Sequence, residues 1–151
     1  MAEVSKILHQ SWEIHSTESE AKRIIQTLLS TLQEHAFSED MIFAIHLSLE
    51  EAFVNAIKHG NHSDPEKMIT VHCLITPEKF DISIADEGFG FDPQGIPDPR
   101  SNGNLYKCTG RGILLIQSYM DVVEYNDRGN CIHMVKYRNS QKPVTPKTTQ
   151  S

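Results

Sequence analysis

After the Asp64-Pro65 turn the apolar residues of this chain change from a helical period to a period of two. Up to about His59 they recur at three- and four-residue intervals, and beyond the Asp64-Pro65 turn they fall on every second position. A period near 3.6 lays one stripe along a helix, whereas a period of two lays one face along a strand. The first half is therefore helical and the second half forms a sheet. Ile24, Ile25, Leu28, Leu29 and Leu32 mark a helix from Thr17, capped by Ser16 or Thr17, with Glu18 and Glu20 at its positive end. Ser38, Glu39 and Asp40 open a second helix that runs to about His59. Its buried stripe is Ile42, Ile45, Leu49, Ala52, Phe53 and Ala56, and Gly60 and Asn61 stop it.

Past the turn, Ile69, Val71 and Cys73 alternate with Thr70, His72 and Leu74, and Phe80, Ile82 and Ile84 with Asp81, Ser83 and Ala85. Two strands about a Thr76–Lys79 turn follow. A further strand is expected from about Lys6 to His15, a short helix from about Gly112 to Met120, and closing strands over Val122–Asn126 and Cys131–Tyr137. Between Asp86 and Thr109 lies a Gly- and Pro-rich stretch, and loops of that length are usually functional or disordered. The tail, residues 139–151, is mostly Lys, Thr, Gln and Pro and is expected to be disordered, leaving one domain over residues 1–138. This order predicts an α+β fold, a two-layer α/β sandwich whose mostly antiparallel mixed sheet is covered by helices on one face.

Fourteen basic against twenty acidic residues give a net charge of −6, which supplies no basic face for nucleic acid. No apolar run is long enough to span a bilayer, so no membrane association is expected. Three cysteines, Cys73, Cys108 and Cys131, form no CxxC pair, which disfavours a disulfide framework or zinc site and fits a reducing cytoplasm.

Three constellations can carry chemistry. On the second helix Glu51 and Asn55 lie one turn apart, about 40° apart on one face, while Glu50 is about 140° round from Asn55. An amide oxygen suits Mg²⁺, and a neighbouring carboxylate can order a hydroxyl. A solvated helix shoulder would carry the same pair. At the end of the Phe80–Ala85 run, Asp86 continues the apolar face, where a carboxylate is expensive without a partner such as the exocyclic amine of adenine. Gly88 and Gly90 remove side chains where backbone turns or meets a flat ring, although an ordinary Asp-Glu-Gly turn has the same composition. Finally, Thr109-Gly110-Arg111-Gly112 opens the last helix, exposing N–H groups to an anion with Arg111 beside them. Neither a P-loop nor a complete GxGxxG is present.

In this order the three resemble the Bergerat (GHKL, histidine-kinase-like) ATP-binding fold. Glu51 through Gly60 resembles its N box, Asp86-Glu-Gly88-Phe-Gly90 its G1 box, and Gly110-Arg111-Gly112 its G2 box. Within that fold the chain is most similar, over about residues 5 to 137, to small serine/threonine kinases acting as anti-sigma factors. The shared points are the EAxxNAxxHG form, the run Gly110 to Ile116, and Met120-Asp121-Val122-Val123. The resemblance implies ATP and Mg²⁺ as cofactors, with Asn55 holding Mg²⁺ and Glu51 acting as base toward a partner serine or threonine. It places the adenine amine on Asp86, Gly88 and Gly90 around the ring, and Thr109, Gly110, Arg111 and Gly112 on the phosphates. His59 and Gly60 complete the N box, and residues 91 to 109 would form a lid. Where some members carry an arginine just before G2, this chain has Lys107 and Cys108, so Lys107 or Arg111 would meet the γ-phosphate.

The resemblance further implies a bacterial cytoplasmic homodimer whose partners are a small phosphorylatable anti-sigma-factor antagonist and a sigma factor. The competing reading is a nucleotide-dependent partner-binding switch without effective kinase activity. A chaperone- or mismatch-repair-type ATPase fits less well, since those couple hydrolysis through large additional domains. His9, His15, His35, His46, His62, His72 and His133 are expected to be solvated or structural, and Trp12 to belong to the core or an interface.

Overall fold

The computed structural model describes residues 7–88 and 111–140, and for residues 111–113 the backbone alone. Its elements run β1 (Leu8–His15), α1 (Glu18–Glu34), α2 (Glu39–Val54), a π-helical turn (Asn55–Gly60), β2 (Met68–Ile75), β3 (Lys79–Ala85), α3 (Arg111–Tyr119), β4 (Val122–Tyr125) and β5 (Cys131–Tyr137). Both long helices start where the residue types demand. The Thr17 hydroxyl accepts from the Glu20 N–H, and the Ser38 hydroxyl accepts from the Met41 N–H. Acidic residues fill both first turns.

The five strands lie in the order β1-β2-β3-β5-β4. All four described pairings are antiparallel, so the parallel pairing implied by a mixed sheet does not occur among the described residues. The register stacks apolar residues in rows across the sheet. Trp12, Val71, Ile84, Ile132 and Tyr125 form one row, and Cys73, Ile82, Met134 and Val123 a second. These rows face α1, α2 and α3 in one core with Ile24, Leu28, Leu32, Leu49, Phe53 and Ile116. Trp12 is partly buried against this core, in keeping with the core reading.

The opposite face carries Ser11, His72, Ser83, His133 and Glu124. His133 there lies 2.9 Å from Asp81 and 3.4 Å from Glu124, and no described helix covers it. Of the expected stripes, Leu29 and Ile42 are only partly buried, because each sits at the edge of its helix's inward face. Among the described residues no helix is long and apolar enough to cross a membrane.

The expected second helix differs in one respect. Its α-helical bonding ends at Val54, and residues Asn55–Gly60 wind as a π-helix instead of continuing to His59 in α form. The Asn61 N–H closes this turn on the Ala56 carbonyl at 2.8 Å, a bond spanning five residues. The cause lies outside the helix, in the packing of Gly60 against the segment after β3.

Candidate nucleotide site

Glu51 and Asn55 keep the relation that their spacing predicts. The Asn55 N–H still donates to the Glu51 carbonyl, so α geometry persists through the pair and both side chains leave the same face of α2. Glu50 is on another face, where its carboxylate meets the His46 imidazole at 2.9 Å. Asn55 Nδ2 is buried and has no hydrogen-bond partner among the described residues. A buried amide left unpaired costs about 1–3 kcal/mol, so this position calls for a polar ligand. The orphaned Nδ2–H calls for an acceptor such as a phosphate oxygen, and the amide oxygen of the same side chain is a hard donor of the kind Mg²⁺ takes.

The π turn then delivers Gly60 to Asp86. A methyl group built on Gly60 would coincide with the Asp86 carboxylate, and one built on Gly88 would overlap the Gly60 carbonyl. Both glycines are therefore required by close approach, and the N-box helix end, Asp86 and Gly88 form one contact. Asp86 itself is fixed at three points. Its N–H donates to the Asn130 carbonyl at 2.9 Å, its carbonyl accepts from Asn130 Nδ2 at 3.3 Å, and its Oδ1 accepts from the Gly88 N–H at 2.8 Å.

As the alternation along β3 predicts, Asp86 sits half-buried at the end of the apolar row. Burial raises its pKa above the ordinary 3.8, against the opposing pull of the Gly88 N–H, Arg128 and His62. Its charge is felt by two neighbours: burial and Asp86 push the Tyr125 phenol up to about 12 and hold the Cys131 thiol above its usual value. His59, on the π turn, has its pKa lowered by burial and then by Lys58 and His62. A half-buried carboxylate of raised pKa in a rigid backbone frame marks a candidate functional position.

α3 packs against α2 through an edge-to-face contact of Phe43 and Tyr119, with centroids 6.4 Å apart. Arg111 and Gly112 lie in the first turn of α3, on a helix braced by the one that carries Glu51 and Asn55. Gly90, Thr109 and Gly110, together with Lys107, Cys108 and the expected lid, lie outside the described residues. Asn61, Asn130 and Tyr125 are neighbours of the site that sequence reasoning did not assign. Asn61 follows a helix-stopping glycine, and a terminator role accounted for it fully until its burial was known.

Residues 14–136 match the model of the histidine kinase-like ATPase domain. The chain is 30% identical over 113 residues to the serine-protein kinase RsbW of Listeria monocytogenes, covering 70% of this chain and 72% of that protein. It is 30% identical over 111 residues to the anti-sigma F factor of Oceanobacillus iheyensis, covering 70% and 75% respectively. With the serine-protein kinase RsbW of Bacillus subtilis it shares 25% identity over 129 residues, 77% of each chain. A match across most of the sheet and all three described helices, with Asp86 and Gly60 in contact as the motif order implies, places this chain in the histidine kinase-like ATPase domain family.

Proposed function

We propose that this chain is a Mg-ATP-dependent protein serine/threonine kinase of the anti-sigma type, which phosphorylates a small antagonist domain and sequesters a sigma factor. The observation that carries the reading is the pairing, one turn apart, of the Glu51 carboxylate near the end of α2 with Asn55, whose buried Nδ2 has no partner among the described residues, at the start of the π turn that ends against Asp86. Relatives named serine-protein kinase and anti-sigma F factor support the class of reaction and the class of partner.

In this reading Asp86 accepts the adenine amine and Gly88 and Gly90 shape the adenine pocket, while Gly60 lets the end of the π turn close on Asp86. Glu51 holds the hydroxyl of the partner's serine or threonine and takes its proton as the oxygen attacks the γ-phosphorus, while the bond from that phosphorus to the β–γ bridging oxygen breaks and ADP leaves. Mg²⁺, when bound, offsets negative charge on the phosphates, and Asn55 is the residue that would hold it. Thr109, Gly110, Arg111 and Gly112 are assigned to the phosphates, the last two from the first turn of α3. A cytoplasmic homodimer is part of the same proposal.

The test is transfer of γ-³²P from ATP to a candidate antagonist domain, comparing the wild type with Glu51→Gln. Loss of transfer by about a hundredfold or more, with ATP affinity within about twofold of wild type, is expected for a removed general base. Full transfer by Glu51→Gln would overturn the base assignment. No phosphoprotein from the wild type, despite nucleotide-dependent partner binding, would favour the switch without catalysis.

A further inference from the structure

Asn61 is fully buried, yet it is polar and immediately follows the glycine that meets Asp86. Besides accepting at its carbonyl from the Asp64 N–H at 3.0 Å, it makes three hydrogen bonds that reach three different segments. Its N–H closes the π turn on the Ala56 carbonyl at 2.8 Å. Its Nδ2 donates to the Met68 carbonyl at the start of β2, at 3.2 Å. Its Oδ1 accepts from the Glu87 N–H at 2.8 Å, one residue beyond Asp86. A second strap runs parallel to these, because the Met68 N–H donates to Glu87 Oε2 at 2.8 Å.

Helix termination needs none of this. A C-terminal residue satisfies its helix with backbone groups, and an exposed Asn serves as well. Burying an amide whose two side-chain atoms bind separate segments fixes the distance between them, since neither bond can be replaced by water at a fully buried site. The two segments so tied are β2 and the residue after Asp86, and the tie lies beside the glycine contact.

We infer that Asn61 is a positioning residue for adenine recognition: by joining the end of the π turn, the start of β2 and the Glu87 N–H, it holds the Asp86 carboxylate in register with the base. This rests on the assignment of Asp86 to the adenine amine. Asn61 does not touch the nucleotide. It acts through the backbone at Glu87, and Glu87 contributes through Met68.

A merely structural role would lower stability or the active fraction without changing which base is preferred. The discriminating readout is therefore the ratio of affinities for ATP and inosine triphosphate, which replaces the exocyclic amine with a carbonyl. Calorimetry on the full chain would give this ratio for the wild type, Asp86→Asn, Asn61→Ala and Glu87→Ala. The wild type is expected to prefer ATP by about a hundredfold or more, as for a buried acceptor that the analogue leaves unpaired. Asp86→Asn should erase most of that preference. Asn61→Ala should shrink it roughly tenfold, the scale expected when a recognition group is displaced by a fraction of an ångström, and Glu87→Ala by a smaller factor.

An unchanged ratio in Asn61→Ala, alongside a collapsed ratio in Asp86→Asn, would overturn the role of Asn61 and leave the adenine assignment standing. No preference in the wild type would overturn the adenine assignment itself, and the inference with it. Should Asn61→Ala fail to fold, Asn61→Ser decides, because its shorter hydroxyl cannot bridge the Met68 carbonyl and the Glu87 N–H together. A ratio unchanged from wild type in that variant overturns the strap.

Discussion

α1 closes its last turn with its own backbone, whereas the continuation of α2 gives its last turn to a distant segment. At the end of α1 the Ala36 N–H donates to the Gln33 carbonyl and the Phe37 N–H to the Leu32 carbonyl, each at 3.0 Å, with Ala36 at φ 63°. That is the paired-bond helix stop usually made by glycine. Arg138 then seals it, donating to the carbonyls of His35 and Ala36 at 3.0 Å each and stacking its guanidinium 4.0 Å over the Phe37 ring. The other end loosens into a π turn, presses Gly60 on the Asp86 carboxylate and leaves Asn55 Nδ2 unpaired. One end is completed by protein. The other leaves one buried polar atom, Asn55 Nδ2, without a partner among the described residues, within the same layer of helices.

Asp86→Asn should separate the two ends most widely. Replacing the carboxylate with an amide keeps an oxygen for the Gly88 N–H but presents a donor or a weaker acceptor to the adenine amine. ATP affinity is expected to fall by about a hundredfold or more. The unliganded protein should melt no lower than wild type, because a half-buried charge is removed at neutral pH. Calorimetric titration and thermal unfolding on the same preparation check both, and a drop in melting temperature matching the loss of affinity would make Asp86 part of the scaffold instead.

Arg138→Ala is the mirror experiment. It removes charged hydrogen bonds to the carbonyls of His35, Ala36 and Pro77 and the stacking on Phe37, so stability should drop by about 2 kcal/mol by denaturant titration. ATP affinity of the folded protein should stay within about twofold, the size of error expected for independent sites. A loss of affinity larger than that would mean the two ends are coupled through α1 and the sheet.

The sealed end and the open end were not equally legible. Ser38 as a cap, the alternation that puts Ile82 and Ile84 inside, and the full span of β5 follow from residue types within a few positions. So does the one-turn relation of Glu51 and Asn55, since helical geometry fixes it without reference to the rest of the chain. The placement of Asp86 on the apolar side followed from the parity of β3. The π turn did not, because Ala56 and Ile57 keep the helical stripe running and nothing in Asn55–Gly60 signals a five-residue bond. Its cause is Gly60 meeting a residue 26 positions later in the chain. The role of Asn61 was hidden for the same reason, and the stop after α1 because Ala36 stands where a glycine would have announced it.

The smallest effect expected is one of pH, and it tests whether Asp86 is held as a charged acceptor. Burial raises its pKa above 3.8 in the unliganded protein, while Arg128 and His62 draw it back. A folded-state pKa above the unfolded value means that Asp86 contributes stability below the unfolded pKa and loses it as pH rises through the folded one. Adenine recognition has the opposite sign, since only the carboxylate accepts the amine fully. ATP affinity should therefore weaken as pH falls into the interval just above the ordinary Asp range, by at most about tenfold per pH unit, the limit for one proton. Substituting His62→Gln removes a charge that lowers the Asp86 pKa when the imidazole is protonated, so the midpoint of this loss should move to higher pH. Affinities measured from about pH 4 to 8 for both proteins decide it. A wild-type affinity that is flat or rises toward acid would mean that the proton stays off Asp86, or that the carboxylate is not the group that meets the base, and the open end of α2 would then need another ligand.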